Sequence, residues 1–171
     1  MANIDVVNEK DEVIDSVPYE EMVEKQLRHR IARVFLFDND GHLYLQRRSM
    51  KMGIAPGLWD QSAAGHVDPG EDYEQAAYRE LKEELGITNI PLKLLVKYYA
   101  EEPHPSGKPM RRFQALYTGM YDGQPMTLDP EEVMDGKWSS ITELEEWMLK
   151  SPEEFTGAFI DAYQRYKEPS I

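Results

Sequence analysis

Apolar and polar residues along this chain repeat with periods that change several times, and each period predicts an element. IDVVNEKDEVID (4–15) holds two short β-branched runs around a polar stretch at Asn8–Asp11, which predicts a strand, a turn and a second strand. A helix is predicted from Ser16 to Leu27. Ser16 would cap it, Pro18 falls in the first turn where its missing N–H does no harm, and Glu20 and Glu21 come early. In RHRIARVFLFDNDGHLYLQRRS (28–49), the apolar run Val34–Phe37 leads into Asn39-Asp40-Gly41. Leu43 and Leu45 then alternate with Tyr44 and Gln46, which predicts a hairpin. WDQSAAG (59–65) reads as one short strand, followed by a Pro-Gly turn, VDPGED. A helix follows from Tyr73 to Leu85, stopped by Gly86, with Ala77, Leu81 and Leu85 at i+4 spacing as its buried stripe.

KLLVKYYAEE and RRFQALYTGMY predict two strands around the loop PHPSGKPM. A strand ending near Trp138 and helices at about 141–150 and 152–167, broken at Pro152, close the chain. The order predicts an α/β protein, a mixed sheet with helices on its faces, in a single domain. Within it, 1–27 supply N-terminal strands and a helix, 28–140 the core, and 141–171 the C-terminal helices.

Composition narrows the chemistry. The 171 residues suffice for one domain with a real core. With no cysteine, disulfide scaffolds, thiol nucleophiles and cysteine zinc sites are excluded, in keeping with a reducing, cytoplasmic setting. No apolar run reaches membrane-spanning length, and MANIDVVNEKDEVIDS lacks the basic start and apolar middle of a signal peptide. A formal charge of −13 argues against a nucleic acid polymer as partner, since backbone binding needs clustered Lys and Arg. A small phosphorylated ligand stays compatible with it, because a metal ion and a few local arginines can hold a diphosphate inside an acidic protein.

RELKEELG (79–86) sharpens that possibility. On a helix Glu83 and Glu84 lie to either side of Glu80, so three carboxylates share one face and repel one another. A solvated surface helix accounts for most such runs; a hard divalent cation held by carboxylate oxygens is the alternative. The wider context decides between them. Gly65 is followed by Glu71 six residues later, Arg79-Glu80 eight further on, then Leu81, Glu83-Glu84, Gly86 and Ile87. This spacing resembles the Nudix box, G-x5-E-x7-R-E-U-x-E-E-x-G-U with U apolar, at every defined position. A chance match is on the order of one in a million per chain.

The resemblance implies a Nudix-type α/β/α sandwich with a mixed β-sheet, and metal-dependent hydrolysis of a diphosphate bond in a nucleoside diphosphate derivative. It makes Glu80, Glu83 and Glu84, with the backbone carbonyl of Ala64, ligands of Mg²⁺ or Mn²⁺. Glu71 and Arg79 become the ion pair that orients the glutamates, and Gly65, Gly70 and Gly86 support the box. For water activation it leaves Glu84 or a glutamate of a late loop, where Glu131 and Glu132 stand; Glu101 and Glu102 are weaker candidates. Arg30, Arg47, Arg48, Arg111 and Arg112 are available phosphate clamps, of which Arg48 and Arg112 are selected here, and Trp59 is either core or a plate for a base. Relatives of this kind often pair as homodimers, which is an expectation for this chain too.

IDVVNEKDEVI, LRHR, LYLQRRS and PGLWDQSAAGHVDPGE further resemble the Nudix branch related to isopentenyl-diphosphate isomerase. In that enzyme a catalytic cysteine precedes Gly-His; here Ala64 precedes Gly65-His66. His29 and His66 match two histidines of its metal site. A third falls near Met22, and two strand glutamates fall near Met110 and Arg112. The missing thiol and the complete box favour a hydrolase over an isomerase, with a non-catalytic nucleotide-sensing module as the remaining alternative.

Overall fold

The computed structural model describes residues 3–168. Strands β1 (Asn3–Val7) and β2 (Val13–Pro18) form a separate antiparallel ribbon, followed by the short helix α1 (Tyr19–Glu24). The main sheet has seven strands. β3 (His29–Phe37), β4 (Leu43–Arg48), β5 (Trp59–Asp60), β7 (Leu92–Glu102) and β8 (Met110–Met120) run in the order β5-β4-β3-β8-β7. β6 (Ala63–His66) adds to β3, and β9 (Val133–Ser139) adds to β4. β3 and β8 are parallel and the other pairs antiparallel, so the sheet is mixed.

Helix α2 (Tyr73–Leu85) covers one face of this sheet. Its Ala77, Leu81 and Leu85 are fully buried against Ala32, Val34, Ala63 and Ala115. Each leucine stabilises the fold by roughly 1.5–3 kcal/mol through burial. Helices α3 (Ile141–Lys150) and α4 (Gly157–Lys167) cover the opposite face, where Leu144 and Phe159 pack with Phe35, Leu45 and Leu116. A third apolar cluster joins Met22 of α1 to Ile4, Val6, Val17 and Met110. The result is the α/β/α sandwich expected from the sequence.

Four local expectations are corrected. Ser16 does not cap a helix: it lies in β2, paired with Asp5, and α1 starts only after Pro18, with no side-chain cap. The β3–β4 hairpin forms its turn, with Gly41 at φ +79°, but the strands pair only at Phe37 and Leu43 before parting. Ser62 fills the fork, its hydroxyl accepting from Leu36 N (2.8 Å) and donating to Tyr44 O (2.7 Å). Residues 59–65 are two strands, β5 and β6, because the chain turns there from β4 to β3. The last helix begins at Gly157: Pro152–Glu154 form a 3₁₀ turn, Phe155 runs extended beside Trp59, and Thr156 caps α4.

Candidate active site

The site is assembled where β6, the loop after it and α2 meet. Asp72 and Gln75 form a reciprocal capping box that starts α2. Gly86 ends it in the left-handed conformation, φ +69°, with its N–H bonded to Lys82 O (3.0 Å). These signals fix the rotational setting of the helix, so Glu80 and Glu84 face inward beside the leucine stripe while Glu83 stays exposed. Glu80 is 6% and Glu84 3% exposed.

Arg79 organises the carboxylates. Its guanidinium grips Glu71 with both prongs (2.9 and 3.0 Å), donates to Glu80 Oε1 (2.5 Å) and Glu83 Oε2 (3.2 Å), and reaches the carbonyl of His66 (2.7 Å). Glu71 also accepts from the backbone N–H of Asp68 (3.0 Å), which ties the loop to the helix. Gly65 is required by close approach, since a Cβ there would stand 2.0 Å from Glu80 Oε1. Gly70 supports the loop differently, through a turn at φ +84° that favours glycine.

Two contributors were not legible in the sequence. Gln46 of β4 donates to Glu84 and to Ser62 O (3.2 Å), so its buried amide positions the deepest carboxylate. The only signal was a glutamine at an alternate position of a strand now covered on both faces. The segment before β9 also docks on the end of α2, where Thr127 N donates to Leu85 O (2.9 Å) and Asp129 N to Glu84 O (3.1 Å). That docking satisfies orphan helix carbonyls and carries Glu132 to the site. Glu131 turns away and pairs with Lys51 at the surface.

Burial raises the Glu80 pKa to about 7 although Arg79 opposes it, and Glu132 and Glu83 raise it further. Glu84 is pushed well above the carboxylate range by burial, then by Glu80, with Glu132 and Asp60 adding to it and Gln46 opposing. Burial, Asp129 and Glu83 raise Glu132 as well. Crowded, half-desolvated carboxylates of this kind match a hard divalent cation in both donor type and charge.

The arginines are largely committed elsewhere. Arg48 pairs with Asp60 (3.2 Å) and donates to Ile54 O (3.0 Å), yet its charge lies near enough to Glu132 to oppose the rise in that pKa; Arg47 donates to Gly57 O (2.9 Å). Arg30 binds Asp11 (2.7 Å) and Arg111 lies 3.4 Å from Glu101. Arg112 sits on the sheet face turned from α2, bonded to Glu102 and to His29 Nε2 (3.2 Å). Trp59 belongs to the apolar cluster beneath α3 and α4, edge-on to Trp147 at 5.5 Å, and is not brought to the carboxylates. Glu102 lies between Arg33 and Arg112, which lower its pKa against the effect of burial and make it a poor base. Asp38, Asp40 and His42 gather at the exposed β3–β4 turn, where Asp38 already bonds the N–H groups of Asp40 and His42.

With this geometry, the comparisons with known proteins agree on a class. The NUDIX domain model matches residues 27–159. The chain therefore belongs to the Nudix family, and it is a Nudix hydrolase. It is 34% identical to a Nudix hydrolase of Pseudomonas aeruginosa, over 77% of this chain and 75% of that protein. It is 32% identical to the isopentenyl-diphosphate Delta-isomerase of Serratia proteamaculans, over 91% of this chain and 86% of that one. Among solved structures, DR0079 from Deinococcus radiodurans superposes with a TM-score of 0.79 at 26% identity, covering 95% of this chain and 98% of that one. No described helix is long and apolar enough to cross a membrane.

Proposed function

We propose that the chain hydrolyses a diphosphate bond in a nucleoside diphosphate derivative or similar organic diphosphate, with Mg²⁺ or Mn²⁺. What supports this most directly is the buried pair Glu80 and Glu84, held in place by Arg79 and Gln46 and faced by Glu132. Glu80, Glu83, Glu84 and the Ala64 carbonyl would hold the metal, which when bound neutralises charge building on the phosphoryl oxygens. Arg79 and Glu71 keep the glutamates aligned. Glu132, part-exposed and raised in pKa, takes the proton of the attacking water; the bond from phosphorus to the bridging oxygen then breaks and the second phosphate departs. Glu84, being deeper and bonded to Gln46, is the alternative base.

An isomerase reading draws on the Serratia proteamaculans relative. Against it stand Ala64 where that chemistry uses a thiol, and a chain without cysteine. The test is chromatographic detection of the cleavage products (two phosphomonoesters from ADP-ribose or a nucleotide sugar, nucleotides from dinucleoside polyphosphates, inorganic phosphate from isopentenyl diphosphate), with and without Mg²⁺ or Mn²⁺, for the wild type and Glu84→Gln. Metal-dependent cleavage that falls by about 10²-fold or more in Glu84→Gln is expected. Near-full activity in that variant would sink the assignment, and tight binding without turnover would favour a sensing module.

A further inference from the structure

Across the sheet from the carboxylates lies a polar floor that the hydrolytic reading does not use. Alternation along β3 turns Ala32 and Val34 toward α2, so Arg33 points the other way with Phe35. Ala64 is in register with Arg33, and His66, two residues on, shares its face. From β8, Arg112 and Gln114 join the same face. Arg33 donates to Glu102 (3.1 Å), Gln114 and Gln61 (3.1 Å), while Arg112 donates to the other oxygen of Glu102.

The charges do not balance. Two guanidinium groups, with side chains 4% and 12% exposed, share one carboxylate. Asp60, the next acid, is engaged by Arg48 and Thr156. His29 is neutral, accepting from Arg112 through Nε2 with its other nitrogen on Leu27 O (3.2 Å). His66 stacks on His29 at 5.3 Å, and its Nε2 is buried with no hydrogen-bond partner among the described residues. A buried Arg–Glu–Arg triad can serve structure alone. It does not explain an unpartnered imidazole nitrogen on the same floor, where burying a polar atom unpaired costs about 1–3 kcal/mol. Nor is the floor sealed. Ala64, Gly65 and His66 remain part-exposed in mid-sheet, and Tyr19, edge-on to His66 at 5.7 Å, stands between them and a neighbouring cavity of about 320 Å³ lined by Glu20, Glu24, His104 and Lys108.

We propose that Arg112 and Arg33, with His66 Nε2, form an anion subsite on the sheet face away from α2, built for a phosphate group and independent of the metal site. An incoming phosphate supplies the missing negative charge and the acceptor or donor for His66. As to substrate, resting on the hydrolytic reading above, the subsite would take a second phosphate group of the molecule that is cut.

The test is calorimetric titration of the intact protein with inorganic diphosphate in EDTA, with thermal shift alongside. The wild type is expected to bind saturably and to gain thermal stability by mass action. Glu84→Gln should bind within about twofold of wild type, whereas Arg112→Gln should bind about tenfold more weakly or worse, the loss of a charge-assisted hydrogen bond. His66→Leu removes a nitrogen that has no protein partner, so it should fold normally and also bind more weakly, which keeps the test decisive if Arg112→Gln does not fold. Absence of metal-free binding, binding indifferent to both substitutions, or binding lost in Glu84→Gln would each overturn the subsite. Metal-free binding that survives while no diphosphate is hydrolysed would instead count against the hydrolytic reading alone.

Discussion

Replacing Gly65 with alanine would force the Glu80 carboxyl group to move, because the added methyl and the carboxylate cannot share the same space. The backbone at Gly65 is not in the left-handed region, so the fold should survive with little loss of Tm. We expect Gly65→Ala to lower kcat by about 10²-fold, as misplaced catalytic groups do, and a kinetic assay beside a melting curve separates the two effects. Glu71→Gln acts one contact further out. It leaves Arg79 one prong short of a carboxylate and should lower kcat by about 10–100-fold through the glutamates it aligns. At this scale the sequence was informative wherever a residue type was forced by spacing in the box. It was silent on Gln46, whose importance comes from a strand neighbour across the sheet.

Helix α2 is the element that could be read almost to the residue, since its start and stop are encoded locally by Asp72, Gln75 and Gly86. Gly86 has a second role. A Cβ there would meet Thr127 at 3.2–3.4 Å, so its absence also admits the loop that brings Glu132 to the site. Gly86→Ala should therefore cost about 1 kcal/mol or more from the positive φ, measurable as a lower urea midpoint, and should depress kcat as Glu132 is displaced. Elements whose ends depend on partners depart from what their sequence signals predict. Ser16 has the chemistry of a cap, but pairing with Asp5 keeps its backbone in a strand. Pro152 would suit a helix start, but Phe155 is drawn into the core and delays α4 to Gly157, with Thr156 as its cap.

Over the whole molecule, the concentration of acid at one point has a consequence for stability. Glu80 titrates near 7 in the fold against an ordinary 4.5, so the folded state holds its proton more tightly than the unfolded chain. The stability this contributes is complete below about pH 4.5 and is lost as pH rises through about 7. Metal-free protein should accordingly have a lower urea midpoint at pH 8 than at pH 5, and Glu80→Gln should flatten that difference. An unchanged pH slope in Glu80→Gln would show that Glu80 is not its source. Saturating Mg²⁺ should raise the midpoint at pH 8 more than at pH 5, because only the charged carboxylates bind it well.

The sequence by itself determined the α/β class, the helix carrying the glutamates and the family resemblance, because periodicity, caps and box spacing are local and survive without knowledge of contacts. Tertiary structure alone decided which carboxylates are buried, that Glu132 and not Glu131 faces them, that Arg48 is tied to Asp60 near Glu132, and that Trp59 lies in the apolar cluster beneath α3 and α4. It also decided that two arginines share one acid beneath His66. These depend on residues brought together from strands far apart in the chain, such as Gln46 with Glu84 and Arg33 with Glu102. Burial, and with it the charge state of such groups, is set by neighbours that no short stretch of sequence contains.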